Sequence, residues 1–244
     1  MNSNKKTARI TGVIFLIAFV TSVLGILLSG LSDPSFTEST DLLINVSANS
    51  MKMRISILFD LLSSASVVAL GIGLFASLKE QNKNIALMGL SFFVAEAIML
   101  AVSRISVFSL LQLSEEYVKA GAPDSSYFHT LGQLFVHDSD LAYLIVQFFY
   151  GLGALTFYYL FFKSKLIPRF ISVWGYIATA IMLAGALLLI LDQFTAGDII
   201  DWITGIPTGL LEIFIGVWLI VKGFNSSAIA SQSAKSDMKE GGKK

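Results

Sequence analysis

Four ionisable residues stand inside stretches that are otherwise apolar: Asp60, Glu96, Arg104 and Glu212. An ionisable group near the centre of a bilayer costs roughly 2.5–3.5 kcal/mol on insertion scales, so it belongs where it faces other protein groups, a ligand or an ion. At a rise of ~1.5 Å per residue, Asp60 counts to ~9 Å below a border at Arg54, and Arg104 to ~14 Å from the same side. Comparable depth predicts an ion pair between them, with Gln147 at a similar level. Glu96 and Glu212 count to ~17 Å and ~15 Å from the opposite border, near the mid-plane. Two carboxylates at one depth can share a proton, bind a cation or hydrogen-bond a polar ligand. Ser103, seven residues after Glu96, adds a hydroxyl on nearly the same helical face. The expected ligand-binding residues are therefore Asp60, Glu96, Ser103, Arg104, Gln147 and Glu212. The competing reading is that these groups only tie helices together, at about 0.6 kcal/mol per interhelical hydrogen bond.

The elements that would hold such residues are membrane-crossing helices. The chain has 244 residues, 55% apolar and only 14% charged, with a mean hydropathy of +0.73, a composition too apolar for an ordinary soluble domain. About 20 apolar residues cross a ~30 Å hydrocarbon core. Runs of that kind occupy 10–31, 55–78, 85–113, 141–162, 171–191 and 203–221, which predicts an all-α, polytopic bundle of six spans. Pro207 falls in the first turns of the sixth run, where a missing N–H costs least. The first run is read as a retained helix, because it is longer than a signal-peptide core of about 7 to 15 residues and no small-x-small pattern follows it. Residues 1–224 form the expected transmembrane domain. Residues 225–244, mostly Ser, Ala, Gly and Lys, form an expected disordered cytoplasmic tail.

With an even number of spans both termini share one side, and the basic residues indicate which. Lys5, Lys6, Arg9, Lys79, Lys83, Lys163, Lys165, Arg169, Lys222 and the tail lysines lie on the terminal side, against Lys52, Arg54 and Lys119 on the other. The positive-inside rule then places both termini in the cytoplasm of a cell membrane. Between Ser114 and Asp140, Tyr127, Phe128, Leu131, Leu134 and Phe135 recur at helical spacing after the turn signal Ala122-Pro123-Asp124, which predicts a helix lying along the outer surface.

Several chemistries find no support in the residues. Cysteine is absent and there are two histidines, which excludes thiolate chemistry and argues against haem or histidine-rich metal sites. His129, His137, Asp138 and Asp140 lack metal-ligand spacing and read as a solvated acidic segment. No P-loop, dinucleotide fingerprint or GxSG is present, so no cofactor is expected. Glu115-Glu116 is followed by Ala120 where an intramembrane CAAX-type protease places Arg. Basic and acidic residues, 17 of each, cancel, so no nucleic-acid partner is expected. The expected partners are the lipid bilayer and a small-molecule or ion ligand; oligomeric state is not legible.

Several blocks, taken together, resemble a known family. They are Lys5-Lys6-Thr7-Ala8-Arg9-Ile10-Thr11-Gly12-Val13, Ala120-Gly121-Ala122-Pro123-Asp124, Gly151-Leu152-Gly153-Ala154-Leu155, Leu166-Ile167-Pro168-Arg169 and Val217-Trp218-Leu219-Ile220-Val221-Lys222-Gly223-Phe224. The sequence is similar to the bacterial membrane family called domain of unknown function 4386, from about Lys5 to Asn225. The resemblance implies a polytopic prokaryotic membrane protein and supplies no activity and no site residues. The leading expectation is binding or translocation of a small ligand or ion. The alternatives are a structural or regulatory membrane partner, or a lipid-modifying membrane enzyme.

Overall fold

The computed structural model describes residues 3–123, 126–191, 198–225 and 227–228. Eight helices follow in order among them: α1 (Ser3–Ser29), α2 (Pro34–Thr37), α3 (Leu42–Ala48), α4 (Ser50–Leu78), α5 (Lys83–Lys119), α6 (Ser126–Ser164), α7 (Arg169–Ile190) and α8 (Asp198–Val221). No strand occurs among the described residues. Helices α1, α4, α5, α6 and α7 are long and apolar enough to cross a membrane, and α8 adds a shorter apolar stretch, Gly205–Val221.

The six long helices close into a ring: α1 packs on α4, α4 on α5, α5 on α6, α6 on α7, α7 on α8, and α8 returns to α1. Their outward faces carry large exposed aliphatic residues, among them Leu27, Leu58, Ile105, Ile177 and Leu210, while Asp60, Glu96 and Ser103 are buried within. Apolar outside and polar inside is the arrangement a chain adopts in lipid, where exposed hydrocarbon costs nothing and an unpaired polar group costs much. The protein is a membrane-embedded helical bundle.

Local chemistry fixes the corners. The Asn82 side chain accepts the Ile85 N–H at 3.1 Å and starts α5. At the other end of α5, Gly121 and Ala122 have φ of 83° and 50°. The Ala122 N–H there donates to the Tyr117 carbonyl at 3.0 Å, satisfying a group the helix end leaves open. Pro123 then prevents continuation. Between α6 and α7 the chain turns at Lys165, and Leu166 and Ile167 plunge into the core at 2% and 1% exposure. Pro168 is the residue from which α7 starts, and the Asn225 N–H donates to the Leu166 carbonyl at 2.9 Å.

Two apolar cores result. The larger, at the end holding the α4–α5 and α6–α7 connections, includes Leu74, Leu78, Phe157, Phe161, Leu166, Ile171, Leu219 and Phe224. The smaller gathers Leu42, Leu43 and Val46 of α3 against Met53, Val107, Leu110, Leu111, Tyr117 and Val136.

Three expectations need revision. The amphipathic segment before residue 141 is not a separate surface helix but the first part of α6, which runs unbroken for 39 residues beside a 37-residue α5. At ~58 Å and ~55 Å both exceed the ~30 Å hydrocarbon core, and α3 packs against their ends. Gly132 and Val136 are buried there, Gly132 beside Leu42 and Leu43 of α3, and that burial favours the continuous helix. Pro207 lies inside α8, which begins at Asp198, so the carbonyl of Ile203 receives no N–H from it. Of the tail expected from residue 225, Asn225 is hydrogen-bonded and Ala228 is buried in the larger core. Residues 229–244, like Asp124 and Asp192, lie outside the described residues.

Candidate functional site

Inside the ring, between the two cores, is a cavity of about 260 Å³ to which all six long helices contribute. Each wall is a helical stripe of i, i+3/i+4, i+7 residues: Phe15, Phe19, Ser22 and Ile26 on α1; Ser63, Val67 and Leu70 on α4; Phe93, Glu96 and Leu100 on α5. Helix α6 supplies Tyr143, Gln147 and Tyr150, α7 supplies Met182, and α8 supplies Gly205, Thr208, Gly209 and Glu212. Among the described lining residues none is basic.

Glu96 and Glu212 line the same cavity from α5 and α8. Tyr150 donates its hydroxyl to Glu212 Oε1 at 2.6 Å. Glu96 is 5% exposed, and its Oε2 has no hydrogen-bond partner among the described residues. An orphaned, buried carboxylate oxygen is expensive, and the residue that carries it lines the cavity. The Phe93 ring, one turn from Glu96, lies parallel to Tyr150 with centroids 6.1 Å apart and edge-on to Phe157 at 5.2 Å. That wall is therefore held by packing on two sides.

The remaining candidates form a separate cluster. Arg104 Nη1 donates to Asp60 Oδ2 at 2.9 Å, with the side chains 12% and 6% exposed. Arg104 Nε and Nη2 both donate to Ser103 Oγ, at 3.1 and 2.9 Å, while Ser103 itself donates to the Leu100 carbonyl at 2.7 Å. Asp60 presses on α1 at Gly25, where an added Cβ would collide with its carboxylate. Helices α1, α4 and α5 are thus joined through one ion pair. The six residues singled out by sequence divide into this satisfied cluster, Asp60, Ser103 and Arg104, and the cavity group, Glu96, Gln147 and Glu212. Gln147 lines the cavity rather than joining the ion pair.

A model of the family described as Domain of unknown function (DUF4386) matches residues 10–223. The chain belongs to that family. This bears out the resemblance carried by the sequence blocks, two of which now have a physical role in this member: Ala120-Gly121-Ala122-Pro123 ends α5 in left-handed backbone, and Leu166-Ile167-Pro168-Arg169 seats two aliphatic residues in the core before starting α7. Neither a curated protein nor a solved structure matches the chain.

Sequence reasoning missed Tyr150, which holds Glu212, and Tyr143, which lines the cavity one turn before Gln147. The signal was present: Tyr143, Gln147 and Tyr150 stand at i, i+4 and i+7, a polar stripe in an otherwise apolar run. Of the paired glutamates at the end of α5, Glu115 meets Arg54 at 2.7 Å and Glu116 meets Lys119 at 2.8 Å. Among the described residues no group of three His, Asp or Glu side chains is placed to hold a metal.

Proposed function

We propose that this family member is a six-span protein of the cell membrane, with both termini cytoplasmic, that binds or translocates a small ligand or ion in the cavity between its helices. The observation that carries this reading is Glu96: buried, with one carboxylate oxygen that has no described partner, and lining a space of about 260 Å³. A carboxylate kept only to join helices would reach a partner on the next helix, as Asp60 does. In this reading Glu96, Gln147, Tyr150 and Glu212 contact the ligand, and Asp60, Ser103 and Arg104 hold the ring that shapes the cavity.

The orientation rests on Lys79, Lys83, Lys163, Lys165, Arg169 and Lys222, which gather at the end of the bundle closed by the larger core. Because the chain has no cysteine, single Ser126→Cys and Lys165→Cys variants report sidedness without background. A membrane-impermeant maleimide applied to intact cells should label the first and spare the second; the reverse pattern overturns the orientation. For ligand binding, wild-type protein in nanodiscs should gain thermal stability with members of a panel of small amines, acids, alcohols and monovalent salts. That gain should disappear in Glu96→Gln and in Glu212→Gln. A panel without effect on wild type, or an effect untouched by both substitutions, contradicts the reading.

A further inference from the structure

We infer that the ligand of this cavity is a small organic cation, an amine carried on an apolar body; the inference rests on the ligand-binding reading above. The charge follows from the donor set. The described lining offers two acidic side chains and no basic residue, so an anion would find nothing to neutralise it, whereas a cation would be matched by Glu96 and Glu212. An ammonium group also donates hydrogen bonds, which the carboxyl group of Glu96 on the cavity wall can accept. Glu212 Oε1 already accepts from Tyr150, leaving its second oxygen to share the same ammonium.

The apolar body follows from the walls. A hard metal cation takes about six to eight oxygen ligands, but here the two glutamates share the cavity wall with Phe15, Phe19, Phe93, Leu100 and Met182, and no three-ligand metal cluster exists among the described residues. A proton or a bare monovalent ion needs no hydrocarbon-lined volume of about 260 Å³. That volume is slightly below the ~300–1,000 Å³ of drug-sized pockets, which suits a compact ligand with one ring or a short branched chain. The ring of Phe93, braced by Tyr150 and Phe157, stands one turn from Glu96. An aromatic face so placed attracts a cation and packs against a hydrocarbon.

The test compares three probes of similar shape on the full-length protein in nanodiscs by isothermal titration near neutral pH, with protein-free nanodiscs subtracted: 2-phenylethylamine, 2-phenylethanol and 3-phenylpropionate. The amine should bind at least about tenfold more tightly than the alcohol, a difference of about 1.4 kcal/mol, and the carboxylate should bind most weakly. In Glu96→Gln the preference for amine over alcohol should shrink to less than about threefold while alcohol binding persists. Equal binding of amine and alcohol by wild type overturns the cationic class but leaves the ligand cavity standing, and so does tightest binding of the carboxylate. No binding of any probe overturns both. The wild-type comparison needs no variant, so a poorly folding substitution cannot obscure it.

Discussion

Two polar clusters lie in one bundle and are built on opposite terms. Around Arg104 nearly every charge is answered: the guanidinium reaches Asp60 and Ser103, Ser103 reaches the Leu100 carbonyl, and Asp60 rests on the bare backbone of Gly25. Around Glu96 the balance is left open, with one carboxylate held by Tyr150 and the other facing a cavity. Both clusters contain costly groups in the membrane interior, so cost alone does not separate a helix tie from a binding site. What separates them is whether the cost is answered from inside the protein. A tie is complete by itself; a binding site is completed by its ligand.

The comparison can be broken by substitution. The largest effect is expected for Asp60→Asn, which leaves Arg104 buried without its counter-charge. Unfolding in detergent should show a loss of about 3–5 kcal/mol, and Asp60→Asn combined with Arg104→Gln should lose less than the sum of the two single variants. If the double-mutant cycle shows no coupling, the ion pair contributes nothing to the bundle.

Gly25→Ala comes next. Its new methyl group would meet the Asp60 carboxylate, so α1 or Asp60 must shift, at about 1–3 kcal/mol. The same assay should show a smaller loss when Gly25→Ala is placed on Asp60→Asn than on wild type.

Tyr150→Phe removes one hydrogen bond to Glu212 and should cost about 0.6–1.7 kcal/mol in unfolding experiments, the scale measured for interhelical bonds in lipid. It should weaken probe binding at the same time, because Glu212 loses the group that orients it. A stability loss with unaltered binding would remove Tyr150 from the site.

The smallest effect on stability is expected for Glu96→Gln. No described partner of Oε2 is lost and a costly carboxylate is replaced by a neutral group of the same shape, so stability should stay within about 1 kcal/mol of wild type.

Much of the architecture was legible in the sequence because lipid imposes simple rules. Apolar runs of span length mark α1 and α4 through α7, and the depth count that paired Asp60 with Arg104 works because helical rise is constant. Rules of span length stop at the membrane border, so they did not reveal that α5 and α6 continue past it. That extension depends on contacts of Leu42 and Leu43 with Gly132 and Val136, residues far apart in the chain. The start of α8 was missed for a related reason: Asp198 and Asp201 read as loop residues, and Pro207 as a helix opening. In the site, the two glutamates announced themselves by charge. Tyr150 did not, since a tyrosine in a membrane helix is ordinary until its hydroxyl is seen to face a carboxylate.

The most direct test of the account is the thermal unfolding of Glu96→Gln and Asp60→Asn side by side in nanodiscs, each with and without 2-phenylethylamine. Glu96→Gln should melt close to wild type and no longer respond to the amine, whereas Asp60→Asn should melt well below wild type and still respond. The opposite result, Glu96→Gln melting low with its amine response intact, would make Glu96 a helix tie like Asp60 and remove the binding site.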